Sequence, residues 1–298
     1  MKTIYFVIPV YNEEAVIEKT SQKINEIIEN LISQGKLSNE SKILFADDGS
    51  KDKTWEIITE LNGKNERIKG IKFAKNYGQQ NAIYAGFMQA KDHCDAAISL
   101  DADLQDDISL IEDFIEKFSQ GYEIVIAAHN DRTNDNFAKK FISERFYDVM
   151  KFLNKNTIKN HSEFRLISNS IIERLSKHNE NDLFLRGLIP TLSDKIYVFS
   201  TLRNPRIAGS PKYTLAKSFE LALNGITSFS IKPIRLIMIA GILIMFLSLL
   251  WFPISLNLFS IWFLGGLQIF SIGIIGEYIA KTYFETKKRP RYIIEKNL

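Results

Sequence analysis

Two carboxylates separated by one small residue, Asp101-Ala102-Asp103, follow the apolar run Ala96-Ala97-Ile98. Along an extended chain, residues i and i+2 point to one side, so at the end of a strand this pair can converge on a single hard cation. Oxygen ligands with open positions suit Mg²⁺ or Mn²⁺ bridging to a phosphate. A bare Asp-x-Asp is more often a solvated acidic loop, here one capping a helix that starts near Ile108. Two further polar clusters stand at the ends of apolar runs: Tyr11-Asn12-Glu13, and Asp47-Asp48 followed by Gly49-Ser50.

The elements that must position these groups alternate. β-branched and aromatic runs predict strands over residues 2–10, 42–46, 68–73, 95–100 and 123–128. Asn12 is the expected cap of a helix whose inner face carries Ile17, Thr20, Ile24, Ile27, Ile28 and Leu31. Further helices are expected from Asp52, with Trp55, Ile58 and Leu61 inward, over 79–90, and over 108–118 with Ile111, Phe114, Ile115 and Phe118 inward. This order argues an α/β domain with a mostly parallel sheet covered on both faces. Ligands of such sheets bind at the carboxyl ends of the strands, so the three polar clusters point to one crevice. Downstream, residues 136–153 read as an amphipathic helix; Glu163-Phe164-Arg165-Leu166 follows, and then another strand–helix passage is expected. A basic loop follows, with Arg203, Arg206 and Lys212.

The chain has 298 residues and 38 basic against 35 acidic side chains, a net charge of +3 that gives no nucleic-acid footprint. Its single cysteine, Cys94, excludes an internal disulfide and a cysteine metal cluster, and reads as a small hydrophobe at a strand start. His93, His161 and His178 show no metal-ligand spacing. The first ten residues lack a signal-peptide pattern, so the preceding domain is expected in the cytosol. Residues 236–276 contain no charge over 41 positions, enough for two membrane spans of ~20 residues each. The spans are expected over 234–252 and 255–280, after a near-helical stretch, 215–229, that can lie in the membrane interface. Lys232 and Arg235 flank the first span, and Lys281, Lys287, Lys288, Arg289 and Arg291 follow the second, which places both chain ends in the cytoplasm.

Set side by side, these segments resemble glycosyltransferase family 2, and more narrowly the polyprenyl-phosphate glycosyltransferases, which include bactoprenol glucosyltransferases and dolichyl-phosphate mannose synthases. The matching pieces are 7–14 (VIPVYNEE), 47–50 (DDGS) with Asp52 and Thr54, 76–79 (NYGQ), 101–106 (DADLQD), 164–166 (FRL), 185–187 (LRG), 206–213, 276–278 (GEY) and 288–292 (KRPRY). The resemblance implies a GT-A type, Rossmann-like catalytic domain over 1–213. It implies a juxtamembrane stretch over 214–233, a two-helix transmembrane hairpin over 234–281 and a basic tail over 282–298. It also suggests a homotetramer.

The same resemblance implies the chemistry. The donor is a nucleotide diphospho-sugar, with Asp101, Asp103 and Gln105 around Mg²⁺ or Mn²⁺ acting as a Lewis acid on the leaving diphosphate. Asp48 takes hydrogen bonds from the base; Pro9, Tyr11 and Glu13 wall and orient the nucleoside, with Ala102 between the two metal carboxylates. His129 stands where many members have Arg, with Arg132 three residues on, both beside the diphosphate. The acceptor, a polyprenyl phosphate such as undecaprenyl phosphate, is ionised near neutral pH, its second pKa being about 6. Its attack therefore needs positioning more than a base, with Arg206 and Lys212 as a phosphate clamp and Arg203 and Arg165 beside them. Glu163, where the family usually has Asp, holds Arg165 or orients the acceptor. Inversion gives a β-linked product, and glucose is the favoured sugar. Two other readings compete: a processive polysaccharide synthase, whose usual Gln-x-x-Arg-Trp motif is missing here, and a membrane-tethered nucleotide-binding protein without turnover.

Overall fold

The computed structural model describes residues 1–129, 161–178, 184–201, 257–286 and 290–298. Eight strands form one sheet in the order β7-β5-β6-β4-β1-β2-β3-β8. They are β1 (Ile4–Val10), β2 (Lys42–Asp47), β3 (Ile68–Phe73), β4 (Ala96–Ser99), β5 (Ile124–His129), β6 (His161–Ser168), β7 (Ile196–Thr201) and β8 (Ile294–Asn297). The first five strands fall where the sequence places them. The expected, mostly parallel sheet is in fact mixed. β1 pairs in parallel with β2 and β4, and β2 with β3, but β6 inserts antiparallel between β4 and β5. β8 adds antiparallel to the outer edge of β3.

Helix α1 (Ile17–Ser33) buries Ile17, Thr20, Ile24, Ile28 and Leu31, a 3.6-residue stripe that packs over β1 and β2. Each such aliphatic side chain contributes about 1.5–3 kcal/mol on burial. The helix starts at Ile17 with Val16 as its cap, not at Asn12 as expected. Asn12 adopts a left-handed φ of 52° instead. Its short polar side chain tolerates that conformation, and its Oδ1 accepts from the Lys51 N–H at 2.9 Å. α2 (Thr54–Lys64) and α4 (Leu110–Ser119) cover the α1 face, with Trp55, Ile58, Ile111, Phe114 and Ile115 inward.

On the other face, α3 (Gln79–Ala90) lies directly on β1. A Cβ added at Gly86 would stand 2.2 Å from Val7 Cγ1, so only glycine permits this approach. That close seat carries the start of α3, with Gln79 and Gln80, to the carboxyl ends of the strands. α5 (Asn169–Ser176) and the short α6 (Leu185–Leu188) complete this second core with Ile171, Leu175, Leu185 and Leu188. Cys94 is buried there as an apolar group, its thiol pushed up to about 12 by burial.

Residues 136–153, 215–229, the first expected span, Arg132, Arg203, Arg206 and Lys212 lie outside the described residues. α7 (Asn257–Thr286) occupies the second expected span and runs six residues past it. Counting described residues alone, no helix is long and apolar enough to cross a membrane. The helix nonetheless exposes Leu264, Ile272, Ile275, Ile279 and Tyr283.

Candidate active site

Four loops meet at the carboxyl edge of β1, β2 and β4, and hydrogen bonds fix them to one another. The Asn12 N–H donates to Ser50 Oγ (2.9 Å) and the Glu13 N–H to Thr54 Oγ1 (2.8 Å), joining the β1–α1 loop to the β2–α2 loop. Thr20 Oγ1 donates to the Ala102 carbonyl (2.6 Å), tying the Asp101–Asp103 turn to α1. Gly49 has φ +71°, and a Cβ there would come 2.5 Å from the Lys75 carbonyl carbon. The β2 and β3 loops are thus in backbone contact. Pro9 and Ala102 are buried behind this edge, and Tyr11 and Glu13 are half-buried on it.

Asp48, the group expected to take hydrogen bonds from the base, directly follows β2 at this edge. Its Oδ1 accepts from the Tyr77 N–H (2.6 Å) and its Oδ2 from the Gly78 N–H (2.9 Å). The carboxylate holds the turn that opens α3. Burial raises its pKa to about 6 against the pull of those two N–H groups. The neighbouring Asp47 is fully buried and accepts from the Ser50 N–H.

Antiparallel pairing brings Glu163 to the acid pair. Ser99 aligns with Arg165, so continuing the register two residues sets Glu163 opposite Asp101. Ser99 Oγ donates to the Glu163 carbonyl at 2.6 Å, which fixes this alignment. Glu163 Oε2 forms a buried ion pair with Arg165, while Oε1 accepts from Arg186 Nε (2.7 Å) and Gln80 Nε2 (2.9 Å). Gln80 Oε1 in turn accepts from the Leu185 N–H at 3.1 Å. Arg165 is fully buried, and among the described residues its Nε and Nη1 have no hydrogen-bond partner. Gln79, Gln80 and Arg186 are the residues that the sequence reading did not assign to the site. Their only signal was that Gln79 and Arg186 sit inside segments matching the family pattern.

Asp101 accepts from Gln79 Nε2 at 2.7 Å. Burial, then the charges of Asp106, Glu163 and Asp103, raise its pKa to about 7. Asp103 takes the Gln105 N–H at 3.3 Å. Gln105 is 7% exposed, and among the described residues its Oε1 has no hydrogen-bond partner. A buried, unsatisfied amide oxygen beside crowded carboxylates fits a divalent cation, which would satisfy the one and neutralise the others. Among the described residues no three His, Cys, Asp or Glu are grouped so that they could hold a metal ion by themselves. His129 ends β5 at the same edge of the sheet.

The raised Asp101 pKa sets a pH dependence. A carboxyl raised in the folded state gives its stabilisation below the ordinary carboxylate range, and loses it as pH rises toward about 7. A cation has the opposite preference, because it must displace that proton. Mn²⁺ affinity, measured by calorimetry, is expected to fall ~tenfold per pH unit below about pH 7, and to level off above it.

A Rossmann-like sheet with an acid pair at the end of β4 defines a class, and comparison supplies its family. Residues 5–176 match the model of glycosyl transferase family 2, more than half of the chain. The chain belongs to that family and is a glycosyltransferase. It is 42% identical to the uncharacterized glycosyltransferase YkoT of Bacillus subtilis, over 98% of this chain and 91% of that one. It is 36% identical to the prophage bactoprenol glucosyl transferase homolog of Escherichia coli, over 98% of both chains. It is likewise 36% identical to the bactoprenol glucosyl transferase of Shigella phage SfX, again over 98% of both.

Proposed function

We propose that this enzyme transfers a hexose, glucose in the first instance, from a UDP-sugar to a polyprenyl phosphate such as undecaprenyl phosphate. The observation that carries this reading is the state of Glu163. A hydroxyl acceptor needs a general base, and a phosphate does not. Glu163 is the carboxylate opposite Asp101, yet it is buried between Arg165, Arg186 and Gln80. Both of its carboxylate oxygens are engaged by the chain's own donors, Oε2 by Arg165 and Oε1 by Arg186 and Gln80, which leaves it ill placed to take a proton from an acceptor. An acceptor oxygen that is already anionic avoids that obstacle. The bactoprenol relatives add support for the lipid.

In the reaction, a phosphate oxygen of the lipid forms a bond to the anomeric carbon. The bond from that carbon to the donor β-phosphate oxygen breaks, and the nucleoside diphosphate leaves with the electron pair. Attack from the opposite face inverts the centre. Asp101, Asp103 and Gln105 would hold Mg²⁺ or Mn²⁺, which supplies charge neutralisation on the departing diphosphate when bound. Gln79 orients Asp101, and the Asp48-held turn fixes Gln79. Arg203, Arg206 and Lys212 clamp the lipid phosphate, with Arg132 toward the donor. The site lies at the cytoplasmic face of the membrane, anchored by the hairpin over 234–281. The apolar side chains exposed along α7 support that placement, and family resemblance supports a homotetramer.

The test is a panel of labelled nucleotide sugars, each given with undecaprenyl phosphate and Mn²⁺ to the full-length protein in detergent. Label from UDP-glucose is expected to partition into organic solvent. Absence of lipid-soluble product from every donor would remove the lipid acceptor from the reading.

A further inference from the structure

The last nine residues do something that neither the family chemistry nor a basic tail requires. β8 pairs with β3, and the Ala74 N–H donates to the Ile293 carbonyl at 3.0 Å just past the end of β3. At the same level the Tyr292 ring stacks on Phe73, with centroids 4.9 Å apart and planes 15° apart. Phe73 in turn meets the Tyr77 ring edge-on at 5.7 Å. Tyr84 of α3 completes the cluster, 6.4 Å from Tyr292 and beneath the Arg291 guanidinium at 4.5 Å. Arg291 also donates to the carbonyl of His178, two residues past the end of α5. The tail therefore grips both ends of the 73–84 segment.

That segment is the one that builds the donor side of the crevice. Its Tyr77 and Gly78 N–H groups hold Asp48, and its Gln79 side chain holds Asp101. On the crevice side the turn is fixed by hydrogen bonds. On the far side, among the described residues, it is backed by the Phe73–Tyr77 pair and the tail ring stacked on it. We propose that Tyr292, aided by Arg291, is a positioning residue for donor binding: the C-terminal strand locks the 73–79 turn from behind, and through Gln79 sets the orientation of Asp101. The proposal rests on the reading of this crevice as the nucleotide-sugar site. It also gives the tail a role in addition to charge. The chain that leaves α7 returns to brace the catalytic domain, so anchor and donor site are mechanically joined.

The test uses the full chain in detergent with three variants, Tyr292→Ala, Tyr292→Leu and Tyr292→Phe. Two quantities are read: donor and acceptor KM with kcat, and hydrogen exchange of the substrate-free protein. Removing the ring is expected to raise the donor KM about tenfold with the acceptor KM unchanged, the scale of loss that follows a small misplacement of a binding group. The amides of Tyr77 and Gly78 should exchange faster, while those of β1 and β4 hold their protection. Tyr292→Phe keeps the stack and should restore both readouts. If Tyr292→Ala does not fold, Tyr292→Leu, which keeps most of the buried bulk without a ring, carries the same measurements. A variant that only melts earlier, with donor KM and Tyr77–Gly78 exchange unchanged, overturns the proposal. So does a loss confined to the acceptor. If the wild type uses no nucleotide sugar, the functional reading fails separately, and exchange alone decides whether the brace exists.

Discussion

Replacing Asp103 by Asn is expected to lower sugar transfer ~10³-fold or more while leaving the melting temperature within a degree or two of wild type. Asp103 is half-buried, and the hydrogen bond shown for it, to the Gln105 N–H, is long at 3.3 Å. An amide of the same shape keeps that bond and removes the charge. A divalent ion on a leaving diphosphate stabilises the transition state by several kcal/mol, and ~1.4 kcal/mol is a factor of ten in rate. Asp101→Asn should show the same loss with a different stability signature. Its carboxylate is repelled by Asp106, Glu163 and Asp103, so the neutral amide relieves repulsion and the fold should melt later, not earlier. A chelator should reproduce the kinetic loss in the wild type and be reversed by Mn²⁺. Transfer by Asp103→Asn at the wild-type rate, with Mn²⁺ still required, would move the metal elsewhere.

The acid pair was legible because two signals coincide: an apolar strand, and then carboxylates at i and i+2. The helix faces were legible for a similar reason, since Ile17, Ile24, Ile28 and Leu31 repeat with helical period whatever they pack against. Strand direction was not legible. The sequence places a strand–helix passage only after Glu163–Leu166, and an apolar pattern is the same for either sense of pairing. Only the antiparallel sense puts the first residues of β6 beside the last of β4. The glutamine–arginine network was hidden by separation, because Gln80 meets Glu163 from 83 residues away and Leu185 from 105. β8 was hidden by composition. Its four residues, Ile-Glu-Lys-Asn, are all exposed and charged or polar after the first, and they join the sheet through backbone groups that carry no sequence signal. Asn12 shows a further limit. A short polar side chain suits a helix cap and a left-handed turn alike, and Ser50 and Lys51, 38 and 39 residues on, decide between them.

Glu163→Ala should be the most damaging single change to stability in the site, about 3–5 kcal/mol, because it leaves Arg165 buried without its counter-ion. Among the described residues the Nε and Nη1 of Arg165 have no hydrogen-bond partner, so the loss of Glu163 adds to a deficit already present. Burial also draws its pKa below the ordinary arginine value even with Glu163 in place. Arg186 and Gln80 lose the same partner but are half-exposed, so water can replace it for them. This asymmetry separates folding from function. Glu163→Leu combined with Arg165→Met removes both buried charges while filling the space. Urea midpoints in detergent should therefore return most of the way to wild type, as happens when a buried ion pair gives way to apolar groups of like volume. Transfer should not return with them. Without Glu163, Arg186 loses the carboxylate to which its Nε donates, and Asp101 loses one of the charges that, after burial and Asp106, raise its pKa. A stable double variant that stays slow would assign Glu163 to positioning and electrostatics. One that is both stable and fast would reduce the whole network to packing.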